Sequence, residues 1–235
     1  MEKTRSKLYL IPSLIHEEAI DSLPASVLKA VKDCQVFFVE NERSARRFLK
    51  SIWKEMVIDD YSWVTIHKAE VEVTAQLGSY IKQGKNIGII SEAGCPGVAD
   101  PGQILVEASH RFGAEVCPIV GPSSILLALM GSGLNGQTFM FNGYLPIQNL
   151  ERINAIKSLE DLSKHRKCTM ILIETPYRNN AMMDSLLKNL KPTTRLSIAV
   201  NLTSKNQQVM TMTILDWRRN IPTFQKEPAI FSFLA

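Results

Sequence analysis

Short apolar runs typical of β-strands alternate with segments of helical period along the first half of this chain. Predicted strands cover residues 7–12, 35–40, 63–67, 86–91 and 115–120. Predicted helices lie between them, one starting at Pro24 and the others over residues 44–53, 71–82 and 104–111. Because strands that alternate with helices pair side by side in a parallel sheet, we predict an α/β layer with its sheet buried on both faces.

The second half has a different order of elements. Strands are predicted over residues 138–142, 168–174, 196–202, 208–214 and 229–234, with helices over 125–130, 152–164 and 181–190. The last strands follow one another without a long helix, which favours a mixed or partly antiparallel sheet. A chain of 235 residues is also longer than one typical core. We therefore predict two α/β domains, residues 1–118 and 119–235.

Composition narrows the class of protein. The chain is 45% hydrophobic and 21% charged, as globular proteins are. Its longest apolar runs are far shorter than the roughly 20 residues that cross a bilayer, and the short run that follows the basic N-terminus does not form a signal peptide. The four cysteines lie far apart without a C-x-x-C pair, so we predict reduced thiols and no metal site. We expect a cytoplasmic protein with no membrane partner.

The net charge of +4 is unevenly divided. Residues 1–117 contain 14 Lys and Arg against 16 Asp and Glu, a balance of −2. Residues 118–235 contain 13 against 7, a balance of +6. A basic half is compatible with a polyanion such as RNA, and equally with a solvated basic surface.

The segment most informative about function is S-E-A-G-C-P-G-V-A-D-P-G, residues 91–102, called the central loop below. It follows a predicted buried strand, and ligands of open α/β sheets bind beyond the carboxyl ends of the strands. Its three glycines permit positive φ and its prolines stiffen the path. The loop therefore fits either a backbone-lined site for an adenosine-type ligand or a tight turn without a ligand.

A second candidate loop, V-G-P-S-S over residues 120–124, also lies between a strand and a helix. Ser123 or Ser124 can cap that helix, and a helix N-terminus can also hold a ligand. No G-x-x-x-x-G-K-[ST], G-x-S-x-G or H-E-x-x-H is present, which argues against a P-loop and common hydrolases.

Charged residues follow the second predicted strand directly. Glu40 stands at its end, and Arg43, Arg46 and Arg47 lie within the next few residues. Side chains at the carboxyl end of a strand face the ligand-binding edge of the sheet. The arginines are candidates for phosphate contacts, with the wet face of a helix as the alternative.

Seven segments, taken in order, resemble the tetrapyrrole methylase superfamily, and within it the branch of 16S ribosomal RNA cytidine 2'-O-methyltransferases. They are L-Y-L-I-P (8–12), V-E-N-E-R (39–43), the central loop, V-G-P-S-S (120–124), S-G-L (132–134), F-N-G-Y-L-P (141–146) and I-E-T-P-Y-R (173–178). The central loop is similar to the family's S-D-A-G-T-P-x-x-x-D-P-G. The resemblance extends over nearly the whole chain.

The resemblance implies two α/β domains of tetrapyrrole methylase type with S-adenosylmethionine in the cleft between them, in a homodimer. Family pockets are built largely from backbone at positions that here are Ser91, Gly94, Cys95, Pro96, Gly97, Val98, Ser123, Ser124 and Ile173. The resemblance also implies that the acceptor attacks the sulfonium methyl in line, a reaction in which the positioning of the two reactants contributes most. Glu40, Asp100 and Glu174 are candidates to take the proton of the acceptor, and Arg43 and Arg47 are candidates for RNA binding.

Several positions depart from the family pattern. The family's P-T-P-I-G-N-L-x-D is P-S-L-I-H-E-E here, residues 12–18, called the first loop below. In the central loop, Glu92 replaces the family's Asp and Cys95 replaces its Thr. In V-E-N-E-R, Asn41-Glu42 replaces Asp-Thr. The family's H-x-H-N-E is reduced to H-K-A-E over residues 67–70. Cofactor binding that depends on backbone tolerates these changes, but the identity of the acceptor does not follow from the resemblance.

Three hypotheses result. The leading one is an S-adenosylmethionine-dependent RNA methyltransferase acting on the small ribosomal subunit. A tetrapyrrole or diphthamide-type methyltransferase is the alternative enzyme. A catalytically inactive paralogue that binds the cofactor or RNA is the alternative from a different class.

Overall fold

The computed structural model describes residues 5–66 and 70–235. It divides into two compact units, residues 1–123 and 124–235. The division falls five residues after the predicted boundary at residue 118. None of the helices within the described ranges is long and apolar enough to cross a membrane.

The first unit is built on one parallel sheet. Its strands are β1 (Lys7–Ile11), β2 (Val36–Val39), β3 (Ser62–Thr65), β4 (Ile87–Ile90) and β5 (Glu115–Pro118), in the order β3-β2-β4-β1-β5. Every pair is parallel, with Leu8 opposite Ile87 and Val36 opposite Ile87 at the centre. The predicted α/β layer is confirmed. Residue 67, the last of the predicted third strand, lies outside the described residues.

Four helices cover the two faces of this sheet: α1 (Ala25–Asp33), α2 (Glu42–Ile52), α3 (Glu70–Lys82) and α4 (Gln103–Phe112). Helices α1 and α2 pack their apolar sides on one face, around Phe37 and Val39. Helices α3 and α4 cover the other face, around Phe38 and Ile89. Because both faces are covered, β2 and β4 are buried at every position, which explains their uninterrupted apolar sequences.

The second unit has a mixed sheet. Its strands are β6 (Phe139–Phe141), β7 (Thr169–Ile173), β8 (Arg195–Val200), β9 (Gln208–Thr213) and β10 (Ala229–Leu234), in the order β6-β7-β10-β8-β9. Strands β6 and β7 are parallel, and the other three pairs are antiparallel. The predicted mixed sheet is therefore confirmed.

Helices also cover the second sheet. They are α5 (Ser124–Ser132), α6 (Asn149–Arg166), α7 (Asn179–Asn189) and the short α8 (Ile214–Trp217). Helix α5 packs against Ile171, Ala199 and Ile230. The larger core contains residues of α6, α7 and α8, and Trp217 is buried in it with its indole N–H donating to the Leu196 carbonyl at 2.8 Å. Helix α8 was not predicted, because a four-residue helix is too short for a periodic signal.

Candidate functional site

The candidate site of the first unit lies where its strands end. All five strands are parallel, so the segments that follow them emerge at one edge of the sheet, called the carboxyl edge below. The first loop follows β1, Glu40 follows β2, the central loop follows β4, and residues 119–123, the β5 loop, follow β5.

A backbone bridge joins the first loop to the central loop. The Ser13 amide donates to the Gly94 carbonyl at 2.9 Å, and the two residues form an isolated antiparallel bridge. The Ser91 hydroxyl lies 3.3 Å from the same carbonyl. Neither contact could be read from the sequence, because a single bridge between loops has no periodicity.

The β5 loop closes onto the other two loops. The Cys95 thiol donates to the Pro122 carbonyl at 3.4 Å, and a Cβ on Gly94 would stand 3.4 Å from that same oxygen. Burial, and then the charge of Asp100, raise the pKa of Cys95, so the thiol keeps its proton and remains a donor. Cys95 therefore performs a donor role that a Thr hydroxyl also offers.

Two glycines of the central loop adopt the left-handed conformation that glycine permits. Gly94 has φ of 78° and Gly97 has φ of 81°. A Cβ on Gly97 would meet no atom within 4 Å, so the backbone there faces open space. Gly102 does not need positive φ; instead, a Cβ there would lie 2.9 Å from the Asp100 carboxylate.

Asp100 stabilises the turn of the central loop. Its Oδ1 accepts hydrogen bonds from the amides of Gly97 at 2.7 Å and Gly102 at 2.8 Å. Burial nevertheless raises its pKa above the ordinary value, against the effect of these two bonds. Since one oxygen is already occupied by two backbone donors, the carboxylate acts first as a structural group.

Glu40 is linked to the central loop as well. Its Oε1 accepts the Glu92 amide at 3.0 Å. Burial raises the pKa of Glu40, and the neighbouring carboxylates of Asp100 and Glu92 raise it further. Three carboxylates thus lie close enough at the carboxyl edge to interact electrostatically, and such a group favours a cation.

The predicted arginines divide into two groups. Arg43 and Arg47 are exposed on α2, whose N-cap Asn41 accepts the amides of Arg43 and Ser44. Arg46 is instead paired with Glu42, and its guanidinium lies 5.1 Å from the centre of the Trp63 ring. The structure thus gives Arg46 partners within the unit, and its contact with phosphate stays a prediction.

The remaining predicted site residues lie at the boundary or in the second unit. Ser123 directly precedes α5, and Ser124 is its first residue. Ile173 ends β7, with its amide donating to the Gly143 carbonyl at 3.1 Å. Glu174 follows with a buried side chain, 2.9 Å from the Arg178 guanidinium and 2.7 Å from the Thr175 amide. The charge of the Glu174 carboxylate is therefore paired with that of Arg178.

A match to a protein-family model decides the family. Residues 19–216 match the model of tetrapyrrole (corrin/porphyrin) methylases. The chain belongs to this family. The resemblance found in the sequence is therefore confirmed, and the matched range includes β2, the central loop and β7.

The chain is similar to proteins named ribosomal RNA small subunit methyltransferase I. It is 36% identical to that of a Synechocystis strain over 150 residues, which cover 64% of this chain and 50% of the relative. It is 25% identical to that of Buchnera aphidicola over 215 residues, covering 89% of this chain and 72% of the relative. The first alignment thus spans half of that relative's length.

Solved structures show the same fold at low sequence identity. Diphthine synthase has a TM-score of 0.68 at 16% identity, over 97% of this chain and 89% of its own. Uroporphyrin-III-C-methyltransferase from Thermus thermophilus has a TM-score of 0.57 at 16% identity, over 98% and 93%. The predicted fold of tetrapyrrole methylase type is confirmed by these likenesses.

The contact of the β5 loop with the first loop can be tested at Gly121. A Cβ there would stand 2.2 Å from the Cβ and Cγ of Pro12, whose ring cannot rotate away. We expect Gly121→Ala to lower the free energy of unfolding by about 1–3 kcal/mol. The control is Gly136→Ala, where an added Cβ meets no atom within 4 Å. Urea denaturation of both variants measures this, and equal stabilities would contradict the contact.

The raised pKa of Glu40 predicts a pH-dependent stability. The folded protein holds the Glu40 proton more tightly than the unfolded chain, so the stabilising contribution is present at low pH. It is lost as pH rises from the ordinary glutamate pKa through the raised one. Glu40→Gln keeps an oxygen acceptor for the Glu92 amide, so it should gain stability relative to the wild type as pH rises. Denaturation midpoints at several pH values measure this, and a gap that stays constant would refute it.

Proposed function

We propose that the chain is an S-adenosylmethionine-dependent methyltransferase that acts on RNA, with a ribose 2'-oxygen of small-subunit ribosomal RNA as the acceptor. The observation that carries the proposal is the meeting of the first, central and β5 loops at the carboxyl edge of the first unit. Family membership supports methyl transfer as the reaction, and the names of the relatives support ribosomal RNA as the substrate.

The residues at the carboxyl edge fit the cofactor. The central loop offers backbone groups around two left-handed glycines, with open space beside Gly97. The three carboxylates Glu40, Glu92 and Asp100 complement a ligand that carries a sulfonium and an ammonium. We propose that Ser91, Gly94, Cys95, Pro96, Gly97, Val98 and Ser123 hold the cofactor from this unit. Ser124 and Ile173 are proposed as its contacts in the second unit.

When bound, the cofactor supplies a methyl group on a positively charged sulfur. The chain's own contribution is to orient the acceptor oxygen and to remove its proton. Of the three candidate carboxylates, Glu40 suits the second task best, because burial makes it more basic and it accepts a hydrogen bond from one backbone amide, that of Glu92. Asp100 is occupied by two amides, and Glu174 is paired with Arg178.

The partners of the chain are part of the same proposal. We propose that exposed Arg43 and Arg47 contact RNA phosphates, and that the protein works in the cytoplasm as a homodimer. A tetrapyrrole or diphthamide-type acceptor is the alternative, since uroporphyrin-III-C-methyltransferase and diphthine synthase have the same fold. An inactive binding paralogue is the alternative outside enzymes, since the first loop departs from the family pattern.

A matched pair of glycine variants tests the cofactor site. Gly97 and Gly113 both have φ near 80°, and an added Cβ meets no protein atom within 4 Å at either. Both changes to Ala impose similar backbone strain, but only Gly97→Ala places a methyl group at the proposed site. We expect it to weaken S-adenosylmethionine binding about tenfold, with little change in Gly113→Ala. Calorimetric titration measures this, and equal affinities would place the cofactor elsewhere.

Transfer of a labelled methyl group tests the acceptor. The labelled cofactor is mixed in turn with unmodified small ribosomal subunits, total protein and a tetrapyrrole mixture. We expect label in ribosomal RNA, and about a hundredfold slower transfer in Glu40→Gln if Glu40 takes the proton. Glu107→Gln, an exposed position on α4, is the control for loss of a carboxylate. Label in protein or tetrapyrrole would contradict the RNA proposal, and cofactor binding without any transfer would favour the inactive paralogue.

A further inference from the structure

The segment that follows β7 presents an aromatic ring to solvent. Tyr177 lies in the 3-10 turn Pro176–Arg178, between β7 and α7, and it is 77% exposed. The turn is held on both sides of the ring, because the Arg178 guanidinium lies 2.9 Å from the Glu174 carboxylate and the Arg178 amide donates to the Thr175 carbonyl at 2.9 Å. Since so little of the ring is buried, it adds little to the core of the unit and is available to a ligand.

A lysine from a distant part of the chain lies over this ring. The Nζ of Lys226 is 5.2 Å from the centre of the Tyr177 ring, within the range of a cation–π interaction. Lys226 is exposed and forms no ion pair within the described residues. Its ammonium group is therefore open to an anion in solution.

The main chain on either side of Lys226 is fixed by two asparagines at the start of α7. The Asn180 side chain accepts the Phe224 amide at 2.9 Å and donates to the Phe224 carbonyl at 3.0 Å. The Asn179 side chain donates to the Glu227 carbonyl at 2.6 Å. Lys226 itself has φ of 61°, a value that is uncommon for a residue with a side chain. These contacts therefore hold the lysine in a conformation that places its ammonium group over the tyrosine.

A second exposed tyrosine lies at the same edge of the second sheet. Tyr144 follows β6 and is 59% exposed. Strands β6 and β7 are parallel neighbours, and the Ile173 amide donates to the carbonyl of Gly143, which directly precedes Tyr144. The segments that carry Tyr144 and Tyr177 therefore leave the sheet side by side.

Single-stranded RNA fits this combination better than other occupants do. Proteins bind single strands by stacking bases on aromatic side chains while cationic groups contact the phosphates. The bases of a double helix are already stacked on one another and do not offer their faces. A second copy of this chain is disfavoured, because an isologous contact would bring together two basic halves, each with a balance of +6 over residues 118–235.

We propose that Tyr177, Lys226 and Tyr144 form a platform for single-stranded RNA. A base stacks on Tyr177, Lys226 contacts an adjacent phosphate, and Tyr144 receives a neighbouring base. The inference rests on the proposed function, since it assumes that the acceptor is RNA. It adds a substrate contact in the second unit to the arginines proposed in the first. Strand β7 ends at Ile173, the proposed cofactor contact of this unit, four residues before Tyr177, so the platform holds the RNA next to that contact.

Binding of a fluorescent oligonucleotide tests the stacking. The probe is a single-stranded RNA of about 12 nucleotides in which uridine alternates with 2-aminopurine, whose emission falls when the base stacks on an aromatic ring. With the full chain, we expect binding and quenching for the wild type and for Tyr177→Phe, which keeps the ring. Tyr177→Leu keeps an apolar side chain without the ring, so it should bind about tenfold more weakly with less quenching. Wild-type affinity and quenching in Tyr177→Leu would overturn the platform.

The salt dependence of the same binding tests the phosphate contact. Loss of one contact to a single strand lowers the slope of log Kd against log salt concentration by about 0.7. We expect this change in Lys226→Gln. The control is Lys188→Gln, an exposed lysine near the other end of α7, for which we expect the wild-type slope. An unchanged slope in Lys226→Gln, or an equal loss in Lys188→Gln, would overturn the contact.

Further outcomes separate this inference from the proposed function. If sedimentation shows that Tyr177→Leu changes the number of chains in the assembly, the surface is an interface between copies and the platform is overturned. If ribosomal RNA is labelled but Tyr177→Leu keeps the wild-type KM for the subunits, the platform is overturned and the proposed function stands. Absence of transfer to any RNA, together with no binding of the oligonucleotide, overturns both.

Discussion

The hydrogen bond between the Ser13 amide and the Gly94 carbonyl is the contact on which the candidate site depends. It fixes the central loop to the first loop, and the Cys95 thiol and Gly121 then bring the β5 loop against both. Asp100 and Glu40 hold the same loop from its far end and from the neighbouring strand. Loops ordered by several such contacts lose little entropy when a ligand binds, which is what a site built from backbone requires.

The carboxylates at the carboxyl edge favour a positively charged ligand. Glu40, Glu92 and Asp100 interact closely enough to raise the pKa of Glu40, although nothing within the described part of the chain pairs any of them with a cation. Maintaining such a group costs stability unless a ligand offsets the repulsion. The positively charged cofactor that we propose would provide that compensation. The acidic balance of residues 1–117, which had no evident meaning in the composition, is consistent with such a site.

The helices and strands could be predicted from the sequence because burial leaves a periodic pattern of apolar residues along the chain. The apolar runs of β2 and β4 and the helical periods between them gave the parallel sheet, and the Gly and Pro of the central loop predicted where a site would lie. The pattern could not reveal that Ser13 meets Gly94, that Ser44 holds Glu92, or that Arg46 turns toward Trp63. These are contacts between residues distant along the chain, and a single sequence contains no periodicity that reports them. In the sequence, Glu92 is distinguished only by its replacement of the family's Asp, and its contacts with Ser44 and Glu40 could not be predicted.

The most direct test of the account is amide hydrogen exchange with and without S-adenosylhomocysteine, the product form of the cofactor. We expect binding to slow exchange in residues 91–98 and at Ser13, because the ligand contacts the central loop and stabilises its bridge to the first loop. Protection confined to segments outside the first, central and β5 loops would contradict the assignment of the cofactor to this edge of the sheet.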